Sequence, residues 1–168
     1  EVDSLYTADI TRTLPVNGRF TEVQRRVYET VREAADVAFA AARPGVKFRE
    51  IHEAAMSVIA ARVAEWGLIP VTAEEALDAD RGGQHRRYMV HGTSHHLGID
   101  VHDCAQARRD MYYEGELAPG MVFTIGHSQI IGSPSKYIWV IRRCEKPWPK
   151  TEKWICAGRQ SLTPFGQG

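Results

Sequence analysis

The 168-residue chain contains no run of about 18 apolar residues, so a membrane-spanning helix is not expected. Neither sign of charge dominates: 21 Lys and Arg stand against 21 Asp and Glu. That balance calls for neither nucleic acid nor an acidic membrane surface as partner. Cysteine is scarce and odd in number, with Cys104, Cys144 and Cys156 spread thinly. That usage suits a reducing, cytoplasmic compartment better than a disulfide framework. No secretory leader is visible, and Glu1 in place of Met reads as an internal start. The remainder is ordinary for one globular domain, with 43% apolar and 25% charged residues.

Two features break the uniformity. Residues 121 to 168 carry seven Lys or Arg against two Asp or Glu, together with Trp139, Trp148 and Trp154. Such a shift marks a boundary or a segment of different history. The second feature is the tract from His91 to Asp103, in which His91, His95, His96 and His102 are interleaved with glycines and two aspartates. Histidine is the commonest metal ligand and titrates nearest neutral pH, so the tract is either a chemical site or an accident of composition. His91 and His95 would share a face of a helix, but Gly92, Thr93 and Gly98 argue against one. Extended backbone is expected instead, with Ile99 and Val101 alternating against Asp100 and His102 as a strand.

Around the tract the pattern is that of helices covering a sheet. Tyr6, Ala8 and Ile10 alternate with Thr7, Asp9 and Thr11, which reads as a strand running to the turn at Pro15-Val16-Asn17-Gly18. Thr21 and Gln24 form a capping box for a helix whose apolar face is Val23, Val27, Val31, Ala34, Ala35 and Ala38. Arg43-Pro44-Gly45 stops it. A second helix spans Phe48 to about Trp66 and ends at Gly67. His52 and Glu53 on that helix read as solvated. The acidic stretch from Pro70 to Gly83 reads as a short helix and a loop, and Arg86 and Arg87 follow as solvated residues or as binders of a substrate carboxylate.

The tract His91-Gly92-Thr93-Ser94-His95-His96-Leu97-Gly98-Ile99-Asp100-Val101-His102-Asp103 resembles a signature of the prolidase and aminopeptidase P branch of the creatinase/methionine aminopeptidase superfamily. Tyr6 to Gly18 and Glu114 to Ile125 are similar to the same family, so the likeness covers residues 1 to 125. It implies an α+β fold, an incomplete pita-bread fold with a curved antiparallel sheet backed by helices. Residues 126 to 168 are then a divergent basic tail. The implied activity is metal-dependent hydrolysis of the bond before proline, on peptides with proline in second position, with two Mn²⁺ ions or similar divalent metals. Asp9 and His95 would be metal ligands, and His91 and His102 would flank the substrate and assist proton transfer. His96 matches no family role and reads as a spacer.

The family's set of two Asp, one His and two Glu is hard and oxygen-rich, as two mutually repelling cations require. The chain departs from it. The first Asp of the pattern falls upstream of Glu1, and Gly126 stands where the first Glu belongs. Glu145, in Arg143-Cys144-Glu145-Lys146, is the remaining candidate for the second. The expectation is a fragment of a dinuclear metallo-aminopeptidase that is itself inactive. The alternative is a catalytically dead fold that binds a peptide or a protein. Neither nucleic acid nor membrane is expected as partner, and homo-oligomerisation is left open.

Overall fold

The computed structural model describes residues 5–9, 13–104, 106–129 and 139–142, the backbone only from 127 onward. Two long antiparallel-packed helices carry the core. α1 spans Glu22–Ala41 and begins where the Thr21 hydroxyl accepts the Gln24 amide at 3.2 Å and the Gln24 side chain accepts the Thr21 amide at 2.9 Å. Both bonds satisfy amides that have no partner within a helix's first turn. Thr21→Ala should therefore cost about 1 kcal/mol in urea denaturation, while Thr21→Ser should cost much less. Val27, Thr30, Val31, Ala34, Ala35 and Ala38 are buried, but Val23 is 66% exposed, contrary to the expected stripe.

The turn between the helices is closed by the Val46 amide donating to the Arg43 carbonyl at 3.2 Å, with Gly45 at φ +84°. Pro then Gly at its two central positions is the pattern of a type II turn. α2 spans Phe48–Glu65, and its first free amides are met from a distant segment: Phe48 donates to the Gly115 carbonyl and Arg49 to that of Tyr113. Glu114 between them accepts from Lys47 and Arg49. At the other end Leu68 donates to the Val63 carbonyl and Gly67, at φ +67°, to that of Ala64. That is a Schellman termination, which needs the left-handed backbone glycine adopts freely. Arg62 of α2 clamps Glu33 of α1 through both carboxylate oxygens.

Ile51, Ile59, Val63 and the alanines of both helices form one cluster, which α3 (Ala73–Leu77), Met89 and Leu117 complete. A 3₁₀ turn at Gln84–Tyr88 and α4 (Arg109–Tyr112) flank the histidine tract. β1 (Gly126–Gln129) pairs antiparallel with β2 (Trp139–Arg142), and both lie against α1. Upstream of β1 the pairing continues as single hydrogen bonds: Leu97 to the Val122 carbonyl, Thr124 to that of His95, and Gly126 to that of Thr93. The expected antiparallel sheet is represented among the described residues by these pairings. None of the described helices is long and apolar enough to cross a membrane.

Two expected strands are absent among the described residues. Residues 5–9 form no strand, Leu5 standing at a left-handed φ of +65°, and are tied in by the Thr7 amide and hydroxyl, both donating to the Gly98 carbonyl at 2.8 and 3.0 Å. From Gly98 to Val101 the backbone bends and turns, leaving Ile99 64% and Val101 41% exposed. The cause is a reversal: the Asp103 amide returns to the His96 carbonyl at 3.1 Å, so the intervening residues form the tip of a loop. A Cβ on Gly98 would collide with the Asp103 carboxylate, which is why a residue without one sits there.

Candidate metal centre

His95 is held at its backbone before its ring does anything. The Thr124 amide donates to the His95 carbonyl at 2.8 Å, and the Thr124 hydroxyl accepts from the His95 amide at 3.3 Å. Extended backbone then places neighbouring side chains on opposite faces. The His96 ring goes into the core, stacked on Phe48 with ring centres 4.6 Å apart and edge-on to Tyr112 and Phe123. Its amide donates to the Tyr112 hydroxyl, and burial pushes its pKa down. His96 is thus a packing residue.

The His95 ring goes the other way. Its Nδ1 lies 3.1 Å from the His96 carbonyl and its Nε2 lies 3.1 Å from Asp9 Oδ2, with the two side chains 16% and 10% exposed. A carbonyl oxygen only accepts, so Nδ1 carries the proton. In the neutral ring Nε2 then turns a lone pair toward the Asp9 carboxylate. Two acceptors at that separation need a proton or a cation to hold them. A ligating histidine has the same arrangement, its second nitrogen bonded to a carbonyl that fixes ring and tautomer.

His102 is exposed and packs edge-on to His95 with centroids 4.4 Å apart. The structure therefore brings Asp9, His95 and His102 together. His91 is exposed and lines a separate cavity beside α2. Glu145 lies outside the described residues. Asp9 and His95 fit as neighbouring donors to one divalent ion: cis ligands of an octahedral ion at about 2.1 Å are roughly 3 Å apart. They do not amount to a two-ion set. Among the described residues no group of three or more His, Cys, Asp or Glu is placed to hold a metal.

Sequence reasoning passed over two residues of this region. Thr124, which clamps His95, is 29 residues further on and carries no local signal. His52, expected in solvent, is half-buried with Nδ1 shielded and unpartnered among the described residues, and burial lowers its pKa. Its signal was present, since it stands four residues from both Phe48 and Met56 and shares their buried stripe.

Residues 1–141 match the sequence profile of metallopeptidase family M24. Xaa-Pro aminopeptidase 2 of Streptomyces coelicolor is 51% identical over 125 residues, which is 74% of this chain and 26% of that protein. The Xaa-Pro aminopeptidase of Escherichia coli is 35% identical over 120 residues, covering 71% of this chain and 26% of the relative. The chain thus spans about a quarter of the length of these relatives. Among solved structures, Pseudomonas aeruginosa aminopeptidase PepP superposes with a TM-score of 0.68 at 36% identity, over 76% of this chain and 28% of its own. A histidine-to-alanine variant of E. coli aminopeptidase P gives 0.70 at 32% identity, over 79% of this chain and 29% of its own. The chain therefore belongs to metallopeptidase family M24, over a segment similar to aminopeptidase P.

Proposed function

We propose that the chain carries one part of the metal centre and substrate wall of an Xaa-Pro aminopeptidase, and that it is inactive by itself. The observation behind this reading is the orientation of His95. Its Nδ1 is bonded to a backbone carbonyl, and its Nε2 shares with Asp9 the space one ion would take. In this reading Asp9 and His95 are ligands to Mn²⁺ or a similar divalent ion. His102, beside the pair, contacts the peptide on the solvent side. His91 flanks the substrate from its own position four residues upstream. Glu145 remains the candidate for a further carboxylate. The pairings of residues 93–97 and 122–126 are read as part of a curved pita-bread sheet, with residues 126 to 168 as a divergent tail.

When bound, divalent ions supply Lewis acidity and lower the pKa of water. With two donors among the described residues, no catalytic step is assigned to them. What the chain's own residues do is position: Thr124 fixes the His95 backbone, the His96 carbonyl fixes its ring, and the paired Thr7–Gly98 bonds carry Asp9 to it.

Titration calorimetry with Mn²⁺, alongside a release assay on an Xaa-Pro tripeptide, tests the proposal. Binding is expected to be weak, with a Kd of about 0.1 mM or above, because tight oxygen-rich sites use six to eight donors. Asp9→Asn should abolish it, and no turnover is expected with or without metal. Robust peptide release by this chain would refute the claim of an incomplete centre. Metal binding unaffected by Asp9→Asn would remove the ligand assignment. The competing reading, a dead fold that binds a peptide or partner, is favoured by the cavity beside α2.

A further inference from the structure

The peptide that joins His95 to His96 is held from both sides. On one side the Thr124 amide donates to the His95 carbonyl at 2.8 Å. On the other the His96 amide donates to the Tyr112 hydroxyl at 3.2 Å, across a separation of 16 residues. A phenol oxygen thus serves this amide as a strand carbonyl would in a sheet, because a backbone donor shielded from water needs a partner. The next carbonyl, that of His96, lies 3.1 Å from His95 Nδ1 and accepts the Asp103 amide at 3.1 Å.

Tyr112 is itself firmly seated. Its ring stands edge-on to Phe48, with centres 5.3 Å apart, and to His96 at 4.9 Å. Phe48 is the first residue of α2 and is buried. The residues that follow Tyr112 are tied to the same turn of that helix. The Arg49 amide donates to the Tyr113 carbonyl and the Phe48 amide to that of Gly115, while Glu114 accepts from Lys47 and Arg49. A line of contacts therefore runs from the start of a core helix through the Tyr112 hydroxyl to the His96 peptide. From there it reaches the His95 ring that faces Asp9.

We propose that Tyr112 is a positioning residue, whose hydroxyl sets the peptide between His95 and His96 and so the aim of His95 Nε2 at Asp9. For metal affinity this role rests on the reading of His95 as a ligand; for the orientation of the ring it does not. Without the hydroxyl the His96 amide loses its partner, and the peptide gains by turning toward water. The His96 carbonyl then holds Nδ1 less well. The bond left open to the ring is the other one, in which Nε2 carries the proton and donates to the Asp9 carboxylate. In that tautomer Nε2 has no lone pair for a cation.

The test is Tyr112→Phe, which keeps the ring against Phe48 and His96, with Tyr113→Phe as the control. Long-range ¹H–¹⁵N spectra of the metal-free full chain at pH 8 read the tautomer of each histidine. They should show His95 protonated on Nδ1, and Tyr112→Phe should move a measurable share of that proton to Nε2. The Kd for Mn²⁺ should rise about three- to tenfold in Tyr112→Phe, less than the roughly 10–100-fold typical of groups that orient a ligand directly. Tyr113→Phe should change neither quantity. A hydroxyl that served packing alone would lower the urea midpoint and leave tautomer and affinity as they are. An unaltered His95 tautomer in Tyr112→Phe overturns the proposal, as does an equal change in Tyr113→Phe. So does a Kd that Tyr112→Phe leaves unchanged when the unsubstituted chain binds Mn²⁺. Absence of Mn²⁺ binding by the unsubstituted chain counts against the ligand reading alone, and the tautomer, read without metal, then decides.

Discussion

Ile59→Ala is expected to destabilise the chain by about 2–5 kcal/mol, measured as the change in unfolding free energy from urea denaturation. Ile59 is fully buried in the cluster shared by α1 and α2, between the alanines that allow the helices to approach. Truncation removes three methyl or methylene groups from contact and leaves a void that rigid helix backbones cannot close. The cost then exceeds the transfer energy of the lost carbons, which is about 0.8 kcal/mol per methylene. Val23→Ala is the internal control. Val23 lies on α1 and is 66% exposed, so its replacement should change stability by no more than about 0.5 kcal/mol. If both substitutions cost the same, the two-helix core described above is not what holds the domain together.

Acidification from pH 7 to 5 should lower stability, through His52 and His85. Burial is the leading cause of the depressed pKa of each, and for His85 a bond from Nδ1 to the Ala76 carbonyl offsets part of it. The folded state disfavours the charged form of both rings, whereas the unfolded chain takes up protons near pH 6.5. Unfolding therefore absorbs protons below that pH, and stability falls as pH drops through the unfolded value toward the folded one. Above about pH 7 the effect vanishes. Each fully shielded group could contribute at most about 1.4 kcal/mol per pH unit, and partial exposure reduces that. Glu75 and Glu114, whose pKa values are depressed, lose their contributions only as pH falls below the usual carboxylate range and do not interfere. Urea midpoints between pH 5 and 7.5 provide the measurement. His52→Asn should flatten the slope, and a stability that rises on acidification would contradict the burial of both rings.

The helices were legible because their signals are local. Thr21 with Gln24 starts α1, Pro44 with Gly45 turns the chain, and Gly67 ends α2; each acts within about one turn of its own position. The failures arose where distant chain decides. Ile99 and Val101 alternate with polar residues as a strand would, yet the return of Asp103 to His96 places them on a loop tip. Val23 continues an apolar stripe in sequence yet is 66% exposed. The candidate centre follows the same division. The histidine tract marked the region, but only family resemblance connected His95 to Asp9, and their contact joins residues 86 positions apart. Thr124 and the cavity beside α2 depend on three-dimensional packing and had no motif to announce them.

His96 bridges Asp103 on one side and Phe123 on the other, and this double pairing determines which of two adjacent, chemically identical residues meets Asp9 and which meets Phe48. A single inserted or deleted codon between Gly92 and His95 would exchange their fates. The imidazole now facing Asp9 would be driven among aromatic rings, and the one now sandwiched there would be turned outward. Mutations in this tract should accordingly be harmful by count before they are harmful by kind: a changed letter perturbs one contact, whereas a changed length inverts the whole alternation.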